Sequence, residues 1–116
     1  MTTNYAGTHL ILDLYGAQNL DSFTVVTKAL LDATKAIGAT VLDINTHYFE
    51  PQGGVTGVVL LAESHMSIHT WPEHKYAAVD IFVCGMLDPT KAIEVLEQAF
   101  QPTRVERTDL KRGLHE

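Results

Sequence analysis

Between Leu60 and Glu73 the chain concentrates groups that can do chemistry. Ser64, Ser67 and Thr70 supply hydroxyls, His65 and His69 imidazoles, and Glu63 and Glu73 carboxylates. A hydrophobic core has no use for such a set. The only cysteine, Cys84, closes the next apolar run, so hydroxyl, imidazole and thiol can meet if the fold brings the two stretches together. Serine is a poor nucleophile at its free pKa and needs an adjacent base, an oxyanion stabiliser or a strained neighbouring bond. His69 is the candidate base. On a regular strand positions 64 and 69 have opposite parity and point to opposite faces, so the pair works only where the chain turns or breaks between them. The Gly-x-Ser-x-Gly elbow of serine hydrolases is also absent, because Glu63 and His65 flank Ser64. The plainer reading of Ser64 and His69 is a pair of polar loop residues near a turn.

A metal site is the rival reading of the histidines. His65 and His69 fall on one face of a strand, but about 13 Å apart, too far to share an ion. A zinc site would draw on His74 and on a ligand such as His47 from elsewhere, and no metal is expected. A lone cysteine excludes an internal disulfide and a cysteine-based zinc site. Cys84 is therefore either a small buried hydrophobe or a reactive thiol.

The elements that must position these groups follow from periodicity. Thr8 to Tyr15 is a largely apolar strand that stops at Gly16. Phe23, Val26, Ala29, Leu30, Ala33 and Ile37 recur at helical spacing, with Asp21 or Ser22 as cap and Gly38 past the end. Ala39 to His47 returns to strand character, Pro51 to Gly54 is a turn, and Val55 to Leu61 is a buried-looking strand. Met66 to Thr70 is a short strand ended by Pro72, and Ala77 to Cys84 is another, ended by Gly85. A second helix takes Asp88 as cap and Pro89 at its first position, with Ala92, Val95, Leu96, Ala99 and Phe100 on one face. Thr103 to Thr108 is a last edge strand, and Lys111 to Glu116 reads as a frayed tail.

Two stretches, Ile11 to Gly16 and Asp80 to Gly85, each precede an Asp-capped helix, which suggests a degenerate βαββ duplication. Two helices cannot cover both faces of about six strands. The expected architecture is therefore α+β: a two-layer α/β sandwich, mainly antiparallel, with both helices on one face. The bare face needs a cover, which points to a homodimer.

The 116 residues, 46% of them hydrophobic, suit a single domain spanning 1–116. Eight basic against fourteen acidic residues give a net charge of −6, without the basic cluster that nucleic acid or an anionic membrane requires. The longest uncharged apolar run, Val55 to Ala62, is far short of the ~20 residues of a membrane span. Residues 1–20 lack the basic start of a secretion signal. A cytosolic (cytoplasmic) protein with a small or proteinaceous partner is expected.

Glu63 to Glu73, followed by Tyr76 to Gly85, resembles the processing and active site of the prokaryotic S-adenosylmethionine decarboxylase proenzymes, the short pyruvoyl-dependent type. The resemblance extends to Gly7-Thr8-His9-Leu10 with Asp13 to Gly16, to Phe49 through Val59, and to Arg112-Gly113, and so covers nearly the whole chain.

This resemblance implies an enzyme that makes its own cofactor. Ser64 Oγ attacks the carbonyl of Glu63, the peptide becomes an ester, and β-elimination cuts the chain into a β chain, 1–63, and an α chain, 64–116. Ser64 becomes a covalent pyruvoyl group. His69 is the acid/base group for processing, assisted by a hydroxyl at position 56, often serine and here Thr56. Scission is then expected to free Ser64 to move relative to His69. The pyruvoyl ketone forms a Schiff base with the α-amine of S-adenosylmethionine and serves as electron sink when CO₂ leaves. Cys84 then protonates the product, which serves as aminopropyl donor in spermidine and polyamine biosynthesis. Phe49 is implied as a platform for the adenine and Glu73 as acceptor for the ribose hydroxyls. By themselves Phe49 reads as core, Glu73 as a solvated charge and Trp71-Pro72 as a rigid packed turn. The resemblance also implies a symmetric homodimer of αβ units in which each pocket takes residues from both protomers.

Departures from the common pattern concern substrate more than machinery. Ala17 stands where many relatives have cysteine, His74-Lys75 where many have Tyr-Gly, and Tyr48 where arginine or histidine is frequent. The same chemistry on arginine or ornithine is the alternative activity. A non-catalytic ligand-binding domain is the alternative of another class, opposed by the complete Ser64, His69 and Cys84 set.

Overall fold

Alternate leucines build the centre of the sheet. In β1 (Gly7–Tyr15), Leu10, Leu12 and Leu14 are buried, while the alternating His9, Ile11, Asp13 and Tyr15 are not. The computed structural model describes residues 4–114. After β1 come α1 (Phe23–Ile37), β2 (Val41–Phe49), β3 (Gly54–Leu61), β4 (Ser64–Trp71), a 3-10 turn at Pro72–His74, β5 (Tyr76–Cys84), α2 (Lys91–Phe100) and β6 (Arg104–Arg112). The strands form one antiparallel sheet in the order β2-β3-β4-β5-β1-β6. The α+β sandwich expected from the sequence is the observed architecture.

Both helices pack on the face that carries Leu10, Leu12 and Leu14 of β1, Val55 and Val59 of β3, Met66 and Ile68 of β4, and Val79 and Ile81 of β5. Each large apolar side chain buried there contributes roughly 1.5–3 kcal/mol. Helix α1 begins where Ser22 Oγ accepts the Val25 N–H at 3.1 Å and ends where Gly38 turns left-handed at φ 84°. Of the two expected caps the structure uses Ser22. The helix sits close on β3 because Gly57 has no side chain: a Cβ there would lie 2.6 Å from a Leu30 methyl carbon. Between strand ends, Thr70 Oγ1 accepts the Val55 N–H at 2.8 Å and donates to the Leu20 carbonyl at 2.7 Å. One buried hydroxyl thus ties β3, β4 and the approach to α1 together.

Several boundaries differ from the sequence reading. Strand β4 starts at Ser64 rather than Met66, because Ser64 pairs with Leu61 across a loop of only Ala62 and Glu63. Strand β2 runs two residues later than expected, and β6 continues to Arg112, with Lys111 and Arg112 paired to Thr8 and Gly7. The frayed tail is thus partly strand, and its last two positions, 115 and 116, lie outside the described residues. Helix α2 starts at Lys91, later than Pro89, through a turn in which Lys91 N–H bonds the Asp88 carbonyl and Ala92 N–H the Pro89 carbonyl. The cap position falls on Thr90, which makes no side-chain capping bond, and the expected cap Asp88 instead braces the turn before the helix. Its carboxylate accepts from Thr90 Oγ1 at 2.6 Å and from Thr90 N–H at 3.0 Å, bonds that hold its pKa below the usual value. The two strand–helix units lie side by side as β1 and β5, but α1 leads to the β2–β3 hairpin at the far edge whereas α2 leads to β6 beside β1. No helix among the described residues is long and apolar enough to cross a membrane.

Candidate active site

Antiparallel pairing of β4 with β5 sets the first half of the site. Their register runs from His65 opposite Phe82 to Trp71 opposite Tyr76, so the start of β4 lies beside the end of β5. Ser64 and Cys84 meet there. The half-buried Ser64 Oγ accepts the Cys84 backbone N–H at 3.2 Å and directs its own proton toward Cys84 Sγ at 4.0 Å. The thiol in turn faces Glu63 Oε2 at 3.9 Å. Glu63 itself is in the left-handed region, with φ 62°. Three of the residues singled out from sequence therefore converge within one hydrogen-bonded group.

The second half lies at the other end of β4, on the sheet face away from the helices. Thr56 of β3 pairs with His69 of β4, and Thr56 Oγ1 is 3.1 Å from His69 Nδ1. Beside them a cleft of about 270 Å³ is lined by Phe49, Gln52, Thr56, His69, Trp71 and Glu73. Phe49 and Glu73 are both exposed, which removes the reading of Phe49 as core. The residues expected to bind substrate and those expected to assist processing thus share one cleft.

An aromatic stack that was not foreseen runs from that cleft across the sheet. Trp71 is no packed turn residue: it ends β4, is 39% exposed, and its ring stacks on His69 at 6.0 Å and on Tyr76 at 5.4 Å. Tyr15 lies over Tyr76 at 5.3 Å, and the Arg104 guanidinium over Tyr15 at 4.2 Å. Tyr76 donates to Asp13 Oδ1 at 2.5 Å, and this bond, with some loss of solvent, pushes its pKa up to about 12. A phenol with a raised folded-state pKa adds stability that is complete below about pH 10 and is lost as pH rises through 12. Titration of phenolate absorbance is therefore expected to show a component near pH 12 that Tyr76→Phe removes. The sequence signal for this stack is the odd-numbered, less buried positions of β1, which Asp13 and Tyr15 occupy on either side of Leu14.

The structure does not bring the two halves together. Strand β4 runs unbroken from Ser64 to Trp71, and five residues of extended chain put Ser64 and His69 roughly 16 Å apart. The turn or break expected between them is absent. A freed end at Ser64 does not close such a gap while residues 65–69 stay paired on both sides. Cys84 lies with Ser64, and Thr56 with His69. His65 packs near the Phe82 ring at 5.8 Å and His47 near Phe49 at 4.4 Å, so neither joins His69. Among the described residues no three His, Cys, Asp or Glu side chains gather closely enough to hold a metal ion. Two departures from the family pattern meet each other, since Ala17 N–H donates to the Lys75 carbonyl at 2.9 Å.

Known proteins share both the sequence and the fold. A chain from Thermomicrobium roseum named S-adenosylmethionine decarboxylase proenzyme is 48% identical over 109 residues, 93% of this chain and 94% of its own length. One of the same name from Methanococcus vannielii is 50% identical over 111 residues, 93% of this chain and 90% of its own. The crystal structure of the adenosylmethionine decarboxylase from Aquifex aeolicus superposes with a TM-score of 0.88 at 35% identity, covering 98% of this chain and 96% of that one. The family model for S-adenosylmethionine decarboxylase matches residues 8–113, a span that includes Thr56, Glu63, Ser64, His69, Glu73 and Cys84, and the chain belongs to that family.

Proposed function

We propose that this chain is a self-activating S-adenosylmethionine decarboxylase whose covalent pyruvoyl group derives from Ser64. The observation that carries the reading is the Ser64 hydroxyl held by the Cys84 N–H at 3.2 Å, directly after the Glu63 carbonyl that it would attack. The proenzyme naming of the relatives supports it. Attack forms the Oγ–C bond and breaks the Glu63–Ser64 C–N bond, and β-elimination then releases the Glu63 carboxylate as the end of a β chain, 1–63. The Cys84 N–H suits an oxygen on residue 64 that carries partial negative charge. Hydrogen-bonded to Thr56, His69 is the acid/base group that moves the protons of processing.

Ser64 Oγ leaves with the Glu63 carboxylate, and water replaces the nitrogen of residue 64 as ammonia departs, so a ketone there would carry its oxygen on Cα, at a residue flanked by the Cys84 N–H and thiol. The pyruvoyl group supplies an electron sink for the pair left behind when CO₂ departs. Cys84 Sγ, 4.0 Å from Ser64 Oγ, then delivers a proton to the substrate Cα. Phe49 stacks the adenine and Glu73 accepts from the ribose hydroxyls, in the cleft that also holds His69. Those roles require the cleft of His69, Phe49 and Glu73 to stand beside a Ser64, and because His69 is roughly 16 Å from the Ser64 of its own chain, a second copy of the chain provides it. The functional unit is therefore a symmetric homodimer joined through the open sheet face, where Val58, Leu60, Trp71 and Leu110 are exposed. A cytoplasmic location accords with the free thiol.

Substrate is tested by CO₂ release. S-adenosylmethionine is expected to turn over and arginine and ornithine are not; the reverse would make this a decarboxylase of another amino acid. Cys84→Ala is expected to lower turnover by roughly 10²–10⁴-fold, as loss of a positioned proton donor does. Full turnover by that variant would remove Cys84 from the proton-donor role.

A further inference from the structure

The bond that the proposed function cuts follows a backbone conformation that L-residues with a side chain avoid. Glu63 has φ 62°. In that region Cβ crowds the following carbonyl oxygen, and routine occupants are glycine and, less often, asparagine or aspartate. Among the described residues Asn19, Lys75 and Gln101 are the other side-chain-bearing residues at positive φ. Asn19 is a type suited to it, and Lys75 and Gln101 each terminate a helical turn. Glu63 alone sits inside a hairpin, at the second position of the loop joining Leu61 to Ser64.

Both sides of this loop are anchored. Ala62 N–H bonds the Thr40 carbonyl at 3.0 Å, and Ser64 Oγ is held by the Cys84 N–H at 3.2 Å. Leu61 and Ser64 are themselves paired across the hairpin, so two residues reverse the chain, and of the two it is the second, Glu63, that turns left-handed. The Glu63 side chain does not compensate by bonding its own backbone; it reaches Cys84 Sγ at 3.9 Å.

We infer that the left-handed Glu63 is a positioning residue for self-cleavage, storing backbone strain that the first step releases. This inference rests on the self-processing reading above. In that step Ser64 Oγ bonds to the Glu63 carbonyl carbon as the C–N bond breaks, and the Oγ proton ends on the freed Ser64 nitrogen. The carbonyl carbon was joined to Ser64 Cα through nitrogen alone and is now joined through Oγ and Cβ. The anchored loop becomes one atom longer, and Glu63 can leave the left-handed region. Strain raises the peptide and not the ester, so it favours the acyl shift.

Glu63→Gly and Glu63→Ala isolate the effect, because both lack the carboxylate and only alanine keeps the strain. Cleavage is followed by intact mass after cell-free synthesis of the full chain. Glu63→Gly is expected to cut roughly five- to tenfold more slowly than Glu63→Ala. In uncut chains carrying Ser64→Ala, the glycine variant is expected to melt higher than the alanine variant by roughly 4 °C. The second readout separates strain from loss of loop order, which would slow cleavage without stabilising the precursor. Equal cleavage rates, or equal melting temperatures, would overturn the inference while leaving self-processing intact. A wild-type chain that never cuts would instead overturn the reading on which the inference rests.

Discussion

Wild-type protein is expected to separate on a denaturing gel into two fragments, 1–63 and 64–116, while Ser64→Ala remains one piece. The size of the effect is all or none, because β-elimination needs an ester oxygen on Cβ of residue 64, which alanine lacks. Within the described structure the groups that approach Ser64 Oγ are a backbone N–H and a thiol, both belonging to Cys84. Intact mass distinguishes this cut from ordinary proteolysis. The 64–116 fragment should be lighter by one ammonia than a fragment beginning with serine, since residue 64 leaves the reaction as a ketone. Decarboxylation should vanish with the cut in Ser64→Ala, because the electron sink is never made. A wild-type chain still whole after long incubation would sink the reading.

The second large effect is expected from mixing two dead chains. His69→Ala alone should cleave roughly 10²–10⁴-fold more slowly than wild type, as removal of a general acid/base group does. Ser64→Ala alone should not cleave. Co-expressed, a mixed pair would contain one site with Ser64 from the first chain and His69 from the second, and that site is complete. With random pairing about half of the His69→Ala chains sit in such mixed dimers and should be cut. The reason is geometric: Ser64 and His69 are roughly 16 Å apart along one unbroken strand, so one chain does not supply both to one bond. If the site lay within a protomer, mixing would rescue nothing.

Much of the framework was legible because burial on one face alone leaves a period in the sequence. Leu10, Leu12 and Leu14, and Ala77, Val79, Ile81 and Val83, announce strands with a single buried side, and α1 announces itself through Val26, Ala29, Leu30 and Ala33. Limits were harder to read wherever polar residues on the open face broke that rhythm. The start of β4 is hidden because Ser64 and His65 look like loop, yet a two-residue hairpin makes Ser64 a paired strand residue. The end of β6 is hidden for a similar reason: from Glu106 to Arg112 every residue is exposed, so hydrogen bonds to β1 hold it with little apolar signature.

By itself the sequence determined the chemical inventory: Ser64 after Glu63, the thiol of Cys84, the His69 imidazole with a hydroxyl at Thr56, and a sheet covered by helices on one side only. Residue types and period are local properties, and a chain carries them openly. Only the tertiary structure decided which of these groups meet. Antiparallel pairing of β4 with β5 puts Ser64 against Cys84, and pairing of β4 with β3 puts His69 against Thr56. The straightness of β4 keeps those two pairs apart, and neither register nor straightness is written in the spacing of residues 64, 69 and 84. The strained turn at Glu63 belongs to the same class, since it arises from two anchored strand ends and not from glutamate's own preference.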